Sequence, residues 1–207
     1  KTHPELVIMP KEIPDVIYNK DCDYLFGIAS TVDRNLKVYY APGYEINKKQ
    51  INWLSLIDPE DQIHDAYMNK KELYVLTSKN APNYKILKTD LENPNIKNSE
   101  VVVPEDQNDI IKSLNLTSDG LYYTLSHNGV EEKLFFLAYN SNAPVELSLP
   151  FKAGSIKLKT KGAEYSDIWV NISGWTNNDQ RYRYLRKTNE FKLENLSDKA
   201  EYPEYND

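Results

Sequence analysis

The sequence predicts an all-β chain: a β-propeller of about four blades, each blade four antiparallel strands. Two observations carry this. The segment Tyr24-Leu-Phe-Gly-Ile-Ala-Ser30 is echoed by Glu72-Leu-Tyr-Val-Leu-Thr-Ser78, by Gly120-Leu-Tyr-Tyr-Thr-Leu-Ser126 and by Asp167-Ile-Trp-Val-Asn-Ile-Ser173, with steps of 48, 48 and 47 residues between the serines. A fixed period of this size on strand-like segments is the mark of small sheets stacked radially. The chain is also rich in tyrosine, with 16, and poor in glycine, with 7, as suits pleated, half-buried surfaces.

Each unit repeats one order of segments. A polar-alternating strand opens it: Val16 to Asn19, Ile63 to Met68, Ile110 to Leu116, Ser155 to Thr160. The echoed strand follows after a turn such as Asn69-Lys-Lys71 or Ser118-Asp119-Gly120, whose residues favour tight reversals. Third strands are expected at Leu36 to Tyr40, Tyr84 to Leu91, Lys133 to Tyr139 and Arg181 to Lys187, and fourth strands at Ile51 to Ile57, Glu100 to Val103, Val145 to Leu149 and Phe191 to Leu196. The blades are therefore expected over 15–58, 62–105, 109–151 and 154–196. No segment is long enough to predict a helix. Residues 197–207, acidic and carrying Pro203, read as a linker.

Composition narrows the function classes. The 207 residues carry a net charge of −6, which argues against a nucleic-acid partner. No apolar run approaches the length of a membrane span. Cys22 is the only cysteine, so no intrachain disulfide is possible; the compartment stays open between cytoplasm and periplasm. Lys157, Lys159 and Lys161 alternate along a strand and read as its solvated face.

The stretch 51–105 resembles a known family. Asn52-Trp-Leu-Ser-Leu-Ile-Asp58 is followed by Leu76-Thr-Ser-Lys-Asn-Ala-Pro-Asn-Tyr-Lys-Ile-Leu87 and then by Val101-Val-Val-Pro-Glu105. In order and spacing this is similar to the propeller of prolyl oligopeptidase-type serine peptidases. Glu146-Leu-Ser-Leu-Pro-Phe-Lys-Ala-Gly154 fits a blade closure of the same family, and Glu201-Tyr-Pro-Glu-Tyr205 resembles its hinge. From Lys159 onward mainly the blade rhythm remains. The resemblance implies a parent with a seven-bladed propeller capping an α/β-hydrolase domain that cuts short peptides at proline. This chain would be the last four blades, an open arc, with that catalytic domain and the parent's peptides as its partners.

A search for chemistry within the chain finds no site. The family's nucleophile sits at a Gly-x-Ser-x-Gly elbow. Here Gly27 and Ser30 are too far apart, and Gly154-Ser155 lacks the second glycine, so no catalytic residue carries over. His3, His64 and His127 do not pair at metal-ligand spacing, and Asp58, Glu60 and Asp61 lack the order and glycine of a calcium loop. No catalytic, metal or cofactor residue is assigned. Asp119-Gly120 is a turn. Asn115, Asn171 and Asn195 head sequons. Trp53 and Trp169 are expected in the core and Trp175 on the surface. Family substrate-chamber contacts would fall near Tyr40 and Ala41, where the motif departs from the family's.

Three functions follow. The first is an inert gating cap of a prolyl-specific serine endopeptidase. The second is an autonomous four-bladed module that binds a protein or peptide. The third is a propeller enzyme using inner-strand groups, for which Asp65 and Asp109 are the candidates. An open arc would present two apolar end faces.

Overall fold

The computed structural model describes residues 6, 8–18, 22–32 and 35–195. It contains sixteen strands: β1 (Ile13–Tyr18), β2 (Tyr24–Ser30), β3 (Val38–Pro42), β4 (Leu54–Ile57), β5 (Ile63–Asn69), β6 (Glu72–Thr77), β7 (Lys85–Asp90), β8 (Glu100–Val103), β9 (Asp109–Leu116), β10 (Gly120–His127), β11 (Glu131–Ala138), β12 (Val145–Leu147), β13 (Ser155–Thr160), β14 (Ile168–Ser173), β15 (Gln180–Leu185) and β16 (Glu190–Leu193). They form four antiparallel sheets, each four consecutive strands in chain order. The four echoed segments are the second strands, β2, β6, β10 and β14. The predicted four-by-four architecture is present. Three short 3₁₀ turns, Gly43–Asn47, Pro59–Asp61 and Ile96–Asn98, lie in loops where the sequence reading expects no helix. The linker expected over 197–207 lies outside the described residues, as does His3.

The chain divides into two compact units, residues 1–105 and 106–207. Each unit is a pair of blades. In the first, Phe26, Val38 and Ile57 of one sheet pack with Ile63, Leu73 and Val75 of the next. In the second, Tyr122, Leu134 and Phe136 pack with Ile168, Val170, Ile172 and Tyr184. The period of two makes this possible. On β14 the residues Ile168, Val170 and Ile172 are buried, while Trp169, Asn171 and Ser173 between them are not. A fully buried leucine or isoleucine of this kind contributes about 1.5–3 kcal/mol.

Each pair is also fastened by polar contacts. In the first, the Leu36 N–H donates to the Ile63 carbonyl (2.8 Å), and the Cys22 thiol to the Lys70 carbonyl (3.4 Å). In the second, Glu132 of β11 bridges to Ala153, and its carboxylate accepts the Ile156 N–H of β13 at 2.7 Å.

The sheet faces turned away from these shared cores differ in character. The outer face of the β1–β4 sheet is covered by Leu6, Ile8, Ile51 and Trp53, which pack on Leu25 and Ala41. The Trp53 ring and Leu6 also pack over Gly27, where a Cβ would meet them at 3.4–3.5 Å, an ordinary contact distance. The outer face of the β13–β16 sheet is charged instead of apolar. Ile13 and Val16 at the β1 edge remain exposed.

Candidate functional site

The chemically densest place in the first unit is one end of the second blade. β5 and β6 pair Ile63 with Thr77 and Asp65 with Leu76, so His64 is the extra residue of a β-bulge. A bulge re-aims its side chain. Here the His64 Nε2 lies 2.8 Å from the Ser78 Oγ, and the ring meets Tyr84 edge-on at 5.1 Å. Three non-glycine residues around it, Gln62, Asn80 and Tyr84, have positive φ of 51°, 53° and 67°. For a bulky residue such as Tyr84 that is a strained backbone.

A serine beside an imidazole invites comparison with a nucleophile and its base. An acyl-transfer site also needs free N–H donors aimed at the oxyanion. At this loop five are occupied. Ser78 N–H donates to the Gln62 carbonyl (3.1 Å) and Lys79 N–H to the Thr77 Oγ1 (3.0 Å). Ala81 N–H donates to Ser78, Tyr84 N–H to Ala81, and Asn83 N–H to the Glu105 carboxylate at 2.7 Å. Pro82 has no N–H. The pair closes a turn in which the N–H groups of Ser78 and Lys79 are already engaged.

The acidic turn before it is equally self-contained. Asp58 and Asp61 cap Pro59–Asp61 reciprocally, Ser55 donates to Asp58 (3.0 Å), and Lys79 Nζ reaches the buried Asp61 at 3.1 Å. Among the described residues no group of three His, Cys, Asp or Glu side chains is placed to hold a metal ion.

The inner-strand carboxylates do not converge with a nucleophile. Asp65 accepts the Tyr67 hydroxyl (3.0 Å) and the Ala66 N–H, and burial pushes its carboxyl above the usual range. Asp109 lies 2.6 Å from His127 Nδ1, and the Asn128 amide donates to Nε2 at 3.0 Å. Both ring nitrogens of His127 are thus engaged. Cys22 is buried, and desolvation raises its thiol above the ordinary value, the opposite of an activated cysteine.

The remaining sequence candidates scatter. Trp53 is buried as expected. Trp169 is not in the core: it is half-buried on the outer face of β14, where its Nε1 donates to Glu194 at 3.1 Å and Lys161, Arg181 and Arg183 lie 5.3–5.9 Å from its ring. It occupies an apolar position by pattern, but its strand alternates so that position 169 faces outward. Trp175 is 79% exposed, its indole donating to the Val130 carbonyl. Ala41 is fully buried and Tyr40 leans on Tyr24. Lys157, Lys159 and Lys161 are all exposed. Asn115 and Asn171 lie within paired strands, while Asn195 follows β16. An open cleft of about 640 Å³ is lined by Asp119, Asp167, Arg183, Tyr184, Arg186 and Lys187, among others; it holds no serine–histidine or cysteine–histidine pair among the described residues.

Two features went unread in the sequence. The bulge at His64 leaves no composition signal. The Asn128-Gly129 pair does: both residues take positive φ, 51° and 72°, and Val130 N–H closes the turn onto His127 within the three-residue loop between β10 and β11, a left-handed turn that Asn-Gly favours.

Comparison with known proteins places this fold. Residues 11–195 match the family model for the prolyl oligopeptidase N-terminal β-propeller domain. Among solved structures, one from a study of two prolyl endopeptidases aligns with TM-score 0.73 and 19% identity, covering 89% of this chain and 26% of that one. Apo prolyl oligopeptidase B from Galerina marginata gives 0.69 and 19%, with 89% and 26% covered. Oligopeptidase B from Trypanosoma brucei with covalently bound antipain gives 0.71 and 16%, with 89% and 27% covered. The chain thus spans about a quarter of the length of these structures. No curated protein matches it. Sixteen strands in four-stranded antiparallel sheets, together with that family match over nearly the whole sequence, make this chain a member of the prolyl oligopeptidase family, as part of its N-terminal β-propeller.

Proposed function

We propose that this chain is the gating propeller segment of a prolyl oligopeptidase-like serine endopeptidase and is itself catalytically inert. The parent hydrolyses short peptides at proline on an α/β-hydrolase domain that belongs to the same polypeptide. The propeller's part is steric: side chains of the first strands, such as Asp65 and Tyr67, set the width and polarity of a passage that admits short peptides. Inertness is supported by one observation above all: the N–H groups beside Ser78, the serine paired with an imidazole, are already engaged. The test is a chromogenic proline-containing peptide offered to the purified chain. No turnover is expected. Turnover that is blocked by a serine-directed inhibitor and lost in Ser78→Ala would overturn the reading.

A second reading, an autonomous peptide- or protein-binding module, draws support from the β1–β4 face that Leu6 and Trp53 cover and from the charged β13–β16 face. Sedimentation discriminates: a compact monomer favours the module, and concentration-dependent association favours a segment that needs further blades.

A further inference from the structure

We propose that the outer face of the β13–β16 sheet is a docking surface for an acidic polypeptide segment. This inference stands apart from the gating reading and uses only the second unit. Strand register builds the surface. Lys159 pairs with Trp169, Trp169 with Arg183, and Arg183 with Lys192, so one row crosses all four strands. The neighbouring row runs Lys157, Asn171, Arg181, with Glu194 beside it. Directly paired residues share a face. The opposite face, with Ile168, Val170, Ile172, Tyr182 and Tyr184, is buried in the core, so these side chains face outward.

The face is net positive. Lys157, Lys159, Lys161, Arg181, Arg183 and Lys192 stand against Asp167, Asp179, Glu190 and Glu194, on a chain of net charge −6. Three of the four carboxylates are spent internally: Asp167 on Arg183 at 2.6 Å, Glu194 on Arg181 at 3.0 Å, and Asp179 on Asn171 at 2.8 Å. These contacts fix the two guanidinium groups and the Trp169 indole. Glu190, opposite Leu185 at one end of the sheet, is exposed. Lys157, Lys159 and Lys192 are exposed and form no ion pair among the described residues. A flat face with a held tryptophan and two arginines, rimmed by unpaired ammonium groups, has the composition of an interface centre and its rim. Its complement is carboxylate-rich. A polypeptide fits better than a nucleic acid, because a continuous run of phosphates would meet Asp167, Asp179 and Glu194, whereas spaced Asp and Glu side chains can address the three lysines individually.

The test is fluorescence anisotropy of a labelled Glu- and Tyr-rich peptide with the full chain, beside a Gln/Tyr peptide of equal length and a single-stranded RNA of equal charge. Saturable binding of the acidic peptide alone is expected, weakening about tenfold or more from low to high salt. The triple substitution Lys157→Glu, Lys159→Glu, Lys192→Glu should reduce affinity at least about tenfold, and Trp169→Leu several-fold at unchanged charge. Unaltered circular dichroism and urea midpoint would show that the variants fold. No binding of the acidic peptide, equal binding by the triple variant, tighter binding of RNA, or salt-sensitive self-association that the triple variant loses would each overturn the proposal.

Discussion

Between β1–β4 and β5–β8 the filling is mostly aliphatic, with Ile57, Ile63, Leu73, Val75 and Leu91 around Phe26. Between β9–β12 and β13–β16 it is aromatic: Tyr122, Phe136, Tyr182 and Tyr184 interlock, with ring centroids 4.7 Å apart for Tyr122 and Phe136. The fastenings diverge in step. Backbone hydrogen bonds join both pairs; the first adds a thiol and the second the Glu132 carboxylate. The second also adds the Arg186 guanidinium, 3.8 Å above the Phe136 ring and paired to Asp119 at 3.2 Å. Tyrosine in a core brings a hydroxyl that must be accommodated. Burial pushes Tyr122 well above the ordinary phenol range, and the Arg186 charge works against that shift. An aliphatic core has no such need. One repeat thus supports two chemistries because only the strand period and the volume between the sheets are constrained.

This contrast can be broken at four places. The largest effect is expected at Gly120. A Cβ there would lie 2.2 Å from the Leu137 carbonyl oxygen and 2.8 Å from the Ala138 Cα, so Gly120→Ala should cost about 3 kcal/mol. Gly27→Ala in the first pair meets only ordinary contacts and should cost less than about 1 kcal/mol. Urea denaturation of both variants checks the ratio, and equal losses would remove the distinction.

Next comes Glu132. Glu132→Ala leaves the Ile156 N–H without its acceptor and should cost about 1–3 kcal/mol, whereas Glu132→Gln keeps an acceptor and should cost less. The pH dependence sharpens this. Burial, the largest influence, raises the Glu132 carboxyl despite the Ile156 hydrogen bond. A carboxyl raised on folding holds its proton more tightly in the native state. Its stabilising contribution is full below the ordinary carboxylate range and is lost as pH rises through the folded-state value. Urea midpoints measured in acid and at neutral pH should show a shallower decline in Glu132→Gln. Asp65, raised for the same reason in the first pair, should behave alike in Asp65→Asn.

A smaller loss is expected from Arg186→Ala, about 1–2 kcal/mol for the ring contact and the uncovered tyrosine; Lys70→Ala in the first pair should change little. The smallest effect is a gain. Lys70 closes the β5–β6 hairpin at φ 55°, a conformation that glycine adopts freely, so Lys70→Gly should stabilise by up to about 1 kcal/mol. A thermal melt reads the sign.

Reading the strands from sequence worked where period alone decides. The echoed segments fall on β2, β6, β10 and β14, and Ser155–Thr160 and Glu100–Val103 have the expected bounds. It faltered where a side chain's facing depends on a single-residue offset. Trp169, apolar by type, was expected in the core, and its strand turns it outward to the cations. His64 reads as an ordinary strand residue until the bulge in β5 aims it at Ser78. Lys157, Lys159 and Lys161 announce a solvated face. That Arg183 and Lys192 continue the same row needs the register of three hairpins at once.

What the chain's own pattern determined is the number of sheets, their strand order and the lack of a nucleophile elbow, because these depend on local periodicity and on motifs contiguous in sequence. Only the tertiary structure decided which polar groups meet: the occupied N–H groups around Ser78, the Glu132 clasp, the covered face at Leu6 and Trp53, and the cationic row across β13–β16. Each of these joins residues distant in sequence through strand register, and register is set by the summed packing of both faces of a sheet, a quantity that no local window contains.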